Sequence, residues 1–166
     1  MRSPSTSSPR RGGFAGIQVI RVRRVDPAKP ATAALLQWLQ LEVLPHDTPL
    51  ATDGGVWWVA YVDDAPAGFA SVKTSPRYVG LGYLSRAGVL PAYRGRGLQK
   101  RLIRVRETYA RRQGWAALIT DTTAANPASA NSLIACGFRM YQPQQPWALP
   151  NSCYWRKPLQ PAPQNG

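Results

Sequence analysis

The sequence is poor in the residues that assemble metal and redox centres. Of its 166 residues two are cysteine, Cys136 and Cys153, and one is histidine, His46. The cysteines lack the spacing of a zinc site or of a CxxC redox pair, so both are expected as reduced thiols and no metal site is expected. No stretch approaches the roughly 18 apolar residues needed to cross a bilayer, and the N-terminus lacks the apolar centre of a secretory signal. These absences predict a cytoplasmic protein without a membrane partner. Acidic residues are scarce as well: 8 Asp and Glu stand against 21 Lys and Arg, a net charge of +13. A surface so biased attracts polyanions, whether nucleic acid, an anionic membrane or a phosphate-bearing cofactor, and charge alone does not choose among them.

The length suits one domain able to bury a core without staples. Residues 1–15 (MRSPSTSSPRRGGFA) offer almost nothing to bury and are expected to form a disordered basic tail, with 159–166 as a second tail. The domain is expected over 16–158, and it contains no internal repeat. Alternating apolar and arginine residues predict a strand over 17–25, and apolar residues at helical spacing predict a helix over 31–44, ending before Pro45. Two β-rich runs, 56–62 and 68–73, flank the polar turn Asp63-Asp64-Ala65-Pro66, which predicts a hairpin. A longer strand is expected over 78–90 and a helix over 98–113. That helix carries Leu98, Leu102, Val105 and Tyr109 on one face and ends at Gly114. A short strand (116–120), a short helix (128–136) closed by Gly137, and two late strands (138–141 and 154–157) complete the order β-α-β-β-β-α-β-α-β-β. This is an α/β (α+β) mixture around a mostly antiparallel central sheet flanked by helices.

The stretch PAYRGRGLQK, residues 91–100, joins the long strand to the helix after it. A strand that passes through glycines into a helix leaves main-chain N–H groups unpaired at the positive end of the helix dipole, which is a site for anions. Gly95 and Gly97 would let a phosphate approach the backbone, and Arg94 and Arg96 add forked cationic donors. The competing explanation is a tight turn with solvated arginines. No GK[ST] follows, so this is not a P-loop, and no acidic residue stands about 20 positions on, as a dinucleotide fold would require. Arg101, Arg104, Arg106, Arg111 and Arg112 could read nucleic-acid phosphates, but such a helical run is more simply a solvated face. Trp57 and Trp58 point to opposite faces of one strand and are expected in the core. Cys136 has no histidine partner in view and is expected to be buried.

The segment from Val89 to Leu98, VLPAYRGRGL, resembles the acetyl-coenzyme A signature V-x-P-x-[YF]-R-G-x-G-[IL] of the GNAT family of N-acetyltransferases. Downstream, NPASANSL (126–133) leading to Cys136-Gly137-Phe138 is similar to the family's N-x-x-[SA] helix closing in G-F. The order of elements also resembles the family's from about residue 17 to 158. The resemblance implies acetyl-CoA as acyl donor, and a long strand whose bulge, by position at Gly88 and Val89, holds the pantetheine arm while it splays from the next strand. It implies that the amides of Arg94, Gly95, Arg96, Gly97, Leu98 and Gln99 hold the pyrophosphate; Gln99 stands where the family usually has glycine. Asn126, and less directly Asn131, would contact the cofactor, or simply cap the helix that follows.

The implied chemistry is direct attack of an amine on a thioester, which needs a neutral amine and a proton for the departing thiolate. The family's usual proton-donating tyrosine falls at Leu133, leaving Ser132, Ser129, Tyr141 or a water. Its frequent strand carboxylate falls at Ser85 and Arg86, so Ser85 is the candidate there. Glu42, His46, Asp47 and Asp53 lie in or beside the segment that lines the family's acceptor pocket, and His46 has the pKa to act as base, although a lone histidine beside a proline is commonly a surface loop residue. The expected protein is a monomeric or homodimeric N-acetyltransferase of a small-molecule or peptide amine. A non-catalytic acyl-CoA-binding module and a basic nucleic-acid-binding protein are the competing classes, the last the weakest.

Overall fold

The computed structural model describes residues 16–52 and 54–159. Its elements run β1 (Ile20–Val25), α1 (Pro30–Val43), β2 (Val56–Val62), β3 (Ala65–Thr74), β4 (Leu81–Val89), α2 (Leu98–Arg112), β5 (Ala117–Thr123), α3 (Pro127–Ala135), β6 (Arg139–Tyr141) and β7 (Ser152–Pro158). The expected order of strands and helices is the observed one. The strands form one seven-stranded sheet in the order β1-β2-β3-β4-β5-β7-β6, antiparallel except at β4–β5.

Local chemistry explains where the boundaries moved. The hairpin between β2 and β3 turns on Asp63 and Asp64 alone, both left-handed (φ 48° and 66°), as a two-residue connection requires. Pairing therefore begins at Val62 with Ala65, and Ala65 and Pro66 belong to the strand rather than to the turn. β1 starts at Ile20 instead of residue 17, since Ile17 is exposed. β5 extends to Thr123 because β7 pairs with it from Pro158 to Ser152. The expected C-terminal tail starts one residue too early: Leu159 is buried and its N–H donates to the Ala116 carbonyl at 2.9 Å, while 160–166 and the tail 1–15 lie outside the described residues.

Two cores flank the sheet. On one face Leu36 and Leu39 of α1 pack on Trp57, Val59, Phe69 and Leu90. On the other, Leu98, Leu102, Ile103 and Ala110 of α2, with Leu133 of α3, cover Trp58, Ala70, Val72, Leu84, Leu118 and Trp155. The adjacent tryptophans thus serve opposite cores, and Cys136 is a buried free thiol. Each such leucine or tryptophan contributes about 1.5–3 kcal/mol by leaving water. No helix among the described residues is long and apolar enough to cross a membrane.

The arginine row on α2 is not uniformly solvated. Arg106 is 3 % exposed. Its guanidinium donates to the carbonyls of Leu102 (2.9 Å) and Ser71 (3.2 Å), and burial pulls its pKa down to about 9, leaving it charged at neutral pH. Ser71 sits at the bulge where β3 and β4 slip register: it pairs with Arg86 while Val72 pairs with Leu84, so Ser85 is the extra residue. A bulge leaves ladder groups unmatched, and the buried cation supplies a donor there. The bulge expected at Gly88 and Val89 therefore lies at Ser85, while Gly88 and Val89 stay paired with Phe69 and Gly68.

Glu107, half-buried, joins α2 to β7: its carboxylate accepts from Lys157 at 2.8 Å and Arg111 at 2.9 Å, and Lys157 also donates to the Cys136 carbonyl at the end of α3. Burial alone would raise the Glu107 pKa, but the two cations outweigh it and hold it below the ordinary 4.5. The carboxylate therefore stabilises the fold at neutral pH and ceases to as pH falls through its lowered folded value. Glu107→Gln is expected to cost about 1–2 kcal/mol in urea unfolding at pH 7. The difference from wild type should close as the pH drops below 4.5; a gap independent of pH would contradict the ion-pair account.

Candidate functional site

The site begins where two strands part. β4 and β5 pair in parallel only at Leu81–Ala117, Gly82–Leu118 and Tyr83–Ile119, although β4 continues to Val89 and β5 to Thr123. At the point of parting the Thr120 hydroxyl donates to the Leu84 carbonyl at 2.9 Å, closing the ladder with a side chain. Beyond it the two strands no longer pair, the splay the resemblance implied.

A cleft of about 570 Å³ opens from this gap, lined by Ala87, Gly88 and Val89 of β4, by the turn into α2 and by the start of α3. After Val89 the chain makes a single tight turn at Pro91–Tyr93, then Gly95 and Gly97 adopt φ of 78° and 77°, and α2 begins at Leu98 without a side-chain cap. Left-handed backbone is what demands glycine at both positions. A Cβ there would meet no protein atom within 4 Å, so crowding by the protein itself is not the reason. Among the described residues no acceptor stands opposite the amides of Gly95, Arg96, Gly97, Leu98, Gln99 or Lys100; the Arg94 amide, expected in the same row, instead donates to the Pro91 carbonyl at 3.4 Å, and the next paired amide is that of Arg101. Six donors therefore point out of the positive end of a fifteen-residue helix.

The expected cofactor residues divide. Gly88, Val89, Arg94, Gly95, Gly97, Leu98, Gln99 and Asn126 all line the cleft. Arg96 does not: its guanidinium donates to the Ala92 carbonyl at 3.3 Å and stacks 5.3 Å from the Tyr93 ring. Asn126 caps α3, accepting from the Ser129 amide at 3.1 Å, and so takes the capping alternative while still bordering the cleft. Asn131 lies on an exposed face of α3 away from it. Lys100, unremarked in the sequence, adds a cation to the lining.

The four expected proton-transfer residues do not converge. Ser132 borders the cleft with its hydroxyl donating to the Ala128 carbonyl at 3.1 Å. Ser85 lies at the bulge, its hydroxyl 2.5 Å from that of Ser71. His46 is exposed on the loop after α1, outside the cleft. Tyr141 stands on β6, its pKa raised by burial and by neighbouring Tyr78. Leu133, where the family's tyrosine would fall, is buried in the core. Glu42 is exposed, Asp47 lies 3.9 Å from Arg86, and Asp53 falls outside the described residues. Arg86 instead fastens the loop after α1, donating to the Thr48 carbonyl at 2.9 Å; buried Gln40 holds the same loop through the Leu50 amide at 2.8 Å.

A constellation the sequence did not reveal occupies the α1 side of the splay. Asp121, two residues beyond the last β4–β5 pair, accepts at Oδ1 from the Tyr83 hydroxyl (2.7 Å) and from the Trp147 indole N–H (3.3 Å). No donor among the described residues reaches its Oδ2. Around it Trp147 meets Tyr154 edge-on at 4.6 Å, Tyr78 at 6.0 Å and Tyr141 at 6.4 Å. Burial, and then the bond to Asp121, raise the Tyr83 pKa well above the ordinary 10.0, so this phenol stays a donor.

A family model described as the acetyltransferase (GNAT) family matches residues 25–138. Among curated proteins none matches the sequence. The ribosomal-protein-S18-alanine N-acetyltransferase of Escherichia coli superposes with a TM-score of 0.67 at 14 % identity, over 89 % of this chain and 98 % of its own. A Bacillus subtilis acetyltransferase solved in complex with CoA gives 0.68 at 14 % identity, over 86 % and 100 %. The structure of yncA from Salmonella typhimurium, with its cofactor acetyl-CoA, gives 0.66 at 20 % identity, over 87 % and 96 %.

The Tyr83–Asp121 bond has a spectroscopic signature. In an alkaline titration followed at the tyrosinate band, Tyr83→Phe should leave the curve unchanged up to the ordinary tyrosine range near 10.0 and remove absorbance only above it. A variant that lost amplitude near that ordinary value would show Tyr83 to be unconstrained.

Proposed function

Since the chain belongs to the GNAT acetyltransferase family, we propose that it is an acetyl-CoA-dependent N-acetyltransferase, carrying an acetyl group to a primary amine of a small molecule or peptide. The observation that carries this reading is the row of unpaired amides from Gly95 to Lys100, opening on a cleft continuous with the splay. Those donors fit a diphosphate: they are preorganised, lie at a helix N-terminus and need no side chain to move. Arg94 and Lys100 add charge at the rim, while Arg94 is steadied by its own bond to the Val89 carbonyl at 3.3 Å. Gly88 and Val89 place main chain along the wall where a pantetheine arm would lie.

Acetyl-CoA supplies an acetyl group already activated as a thioester, so the residues need to deliver a neutral amine and manage two protons. A lysine amine begins near pKa 10.4 and an α-amine near 8, so each arrives largely as an ammonium. Asp121 is the carboxylate placed at the mouth of the splay, with Oδ1 immobilised by two donors and Oδ2 open to accept an ammonium proton. Ser129 and Ser132 are the hydroxyls that α3 presents to the cleft, and one of them would return a proton to the thiolate.

Calorimetry with acetyl-CoA is expected to show binding to the wild type and a loss of about 100-fold or more in Arg94→Ala/Gly97→Glu with an unchanged circular dichroism spectrum. Unaltered affinity would refute the site. In a thiol-release assay with a panel of amines, Asp121→Asn should lower kcat on the order of 100-fold while leaving the acetyl-CoA Kd in place. Binding without thiol release for any amine would instead favour the non-catalytic acyl-CoA module.

A further inference from the structure

Guanidinium groups border the cluster of side chains that holds Asp121. Arg77 lies 5.5 Å over the Trp147 ring, Arg86 follows the bulge residue Ser85 on β4, and Arg156 stands on β7 two residues from Tyr154, paired with Ile119 of β5. Arg86 is committed to the loop after α1 through Thr48, Gln40 and Asp47. Arg77 and Arg156 are exposed and, among the described residues, neither has a carboxylate partner. Asp121, on β5 between β4 and β7, has one oxygen held by Tyr83 and Trp147 and the other open.

From this arrangement we infer that the basin of Asp121, Tyr83, Trp147, Tyr154, Arg77 and Arg156 is an acceptor site for a small amine that also bears an anionic group, a carboxylate or a phosphate, close to its nitrogen. The ammonium meets Asp121 Oδ2, the anion meets a guanidinium fork, and apolar substituents lie against the aromatic faces. The same charges work against polycations: spermidine would offer one nitrogen to Asp121 and set the others against Arg77 and Arg156 in a protein whose net charge is already +13. An amine without an anionic group would gain the carboxylate and leave the arginines unused. The inference rests on the acyl-transfer reading for the purpose of the site, but binding itself does not require turnover.

The test is calorimetry on the full chain, with and without coenzyme A, using L-phenylalanine, 2-phenylethylamine, 2-aminoethyl phosphate and spermidine. At least one anionic amine is expected to bind about tenfold or more tightly than 2-phenylethylamine, with spermidine weakest, and the better of the two identifies the anion as carboxylate or phosphate. Arg77→Gln and Arg156→Gln, both at exposed positions, should erode that preference to within about threefold, while 2-phenylethylamine binding and the Kd of coenzyme A stay put. Asp121→Asn should weaken all amines alike. Equal affinity for the anionic and neutral amines, a preference for spermidine, or no binding by any of the four overturns the inference. Failure of coenzyme A to bind the wild type would instead sink the acyl-transfer reading, and the amine affinities of the free protein would still decide this one.

Discussion

The three-residue parallel contact between β4 and β5 is the constraint on which the rest of the molecule turns. Every other neighbouring pair in the sheet is antiparallel. Antiparallel partners can be zipped along their lengths by hairpins, whereas this pair is joined through α2 and diverges as soon as it has paired. The gap is held open by specific contacts. Thr120 satisfies the Leu84 carbonyl where a strand would otherwise continue, and a Cβ at Gly88 would fall 2.3 Å from Val43, so α1 is pressed against the wall that β4 presents to the cleft.

The bulge at Ser85 decides what each face of β4 offers. Before it, Leu84 faces the α2 core and Tyr83 the α1 side; after it the alternation is reset, so that Arg86, two positions removed in pairing from Leu84 by a single step on β3, also reaches the α1 side and grips the loop there. Were Ser85 instead paired in regular alternation, Arg86 would fall on the face of Leu84, in the apolar core. Arg106 is the counterpart on the other side. Placing a cation in a core is expensive, and two carbonyl contacts offset only part of it, but removing the guanidinium would leave the Ser71 carbonyl at the bulge short of a donor. A strongly polar group has therefore been placed where the irregularity of the sheet makes one necessary.

Much of this was legible in the sequence because the relevant information was local. Gly95 and Gly97 announce left-handed backbone, Asp63 and Asp64 announce a turn, and the apolar periodicity of α2 announces its buried face. The amide-lined end of the cleft depends on main-chain geometry, which short motifs encode well. The opposite end does not. Asp121 is a single acid after an apolar strand; its partners lie 38 positions earlier at Tyr83 and 26 later at Trp147, the latter in a Pro- and Gln-rich loop with no periodic signal. Only the order of strands brings them together. Arg106 was hidden for a related reason: in a row of arginines spaced along one helix, its position beside Leu102, Ile103 and Ala110 on the buried face distinguishes it, and charge composition masks that phase.

The net charge of +13 is better understood by where it is already spent than by its total. Arg106 is inside the fold, Arg111 binds Glu107 and the Leu159 carbonyl, Lys157 binds Glu107, Arg86 ties a loop, and Arg96 closes its own turn. Of the cations of α2, Arg106 is thereby buried and Arg111 paired with Glu107, whereas Arg101, Arg104 and Arg112 are exposed. Among the described residues, cations without a carboxylate partner beside the splay include Lys100 at the head of α2, Arg77 over Trp147 and Arg156 on β7. The long-range field of a surface so biased would raise the encounter rate of anionic partners.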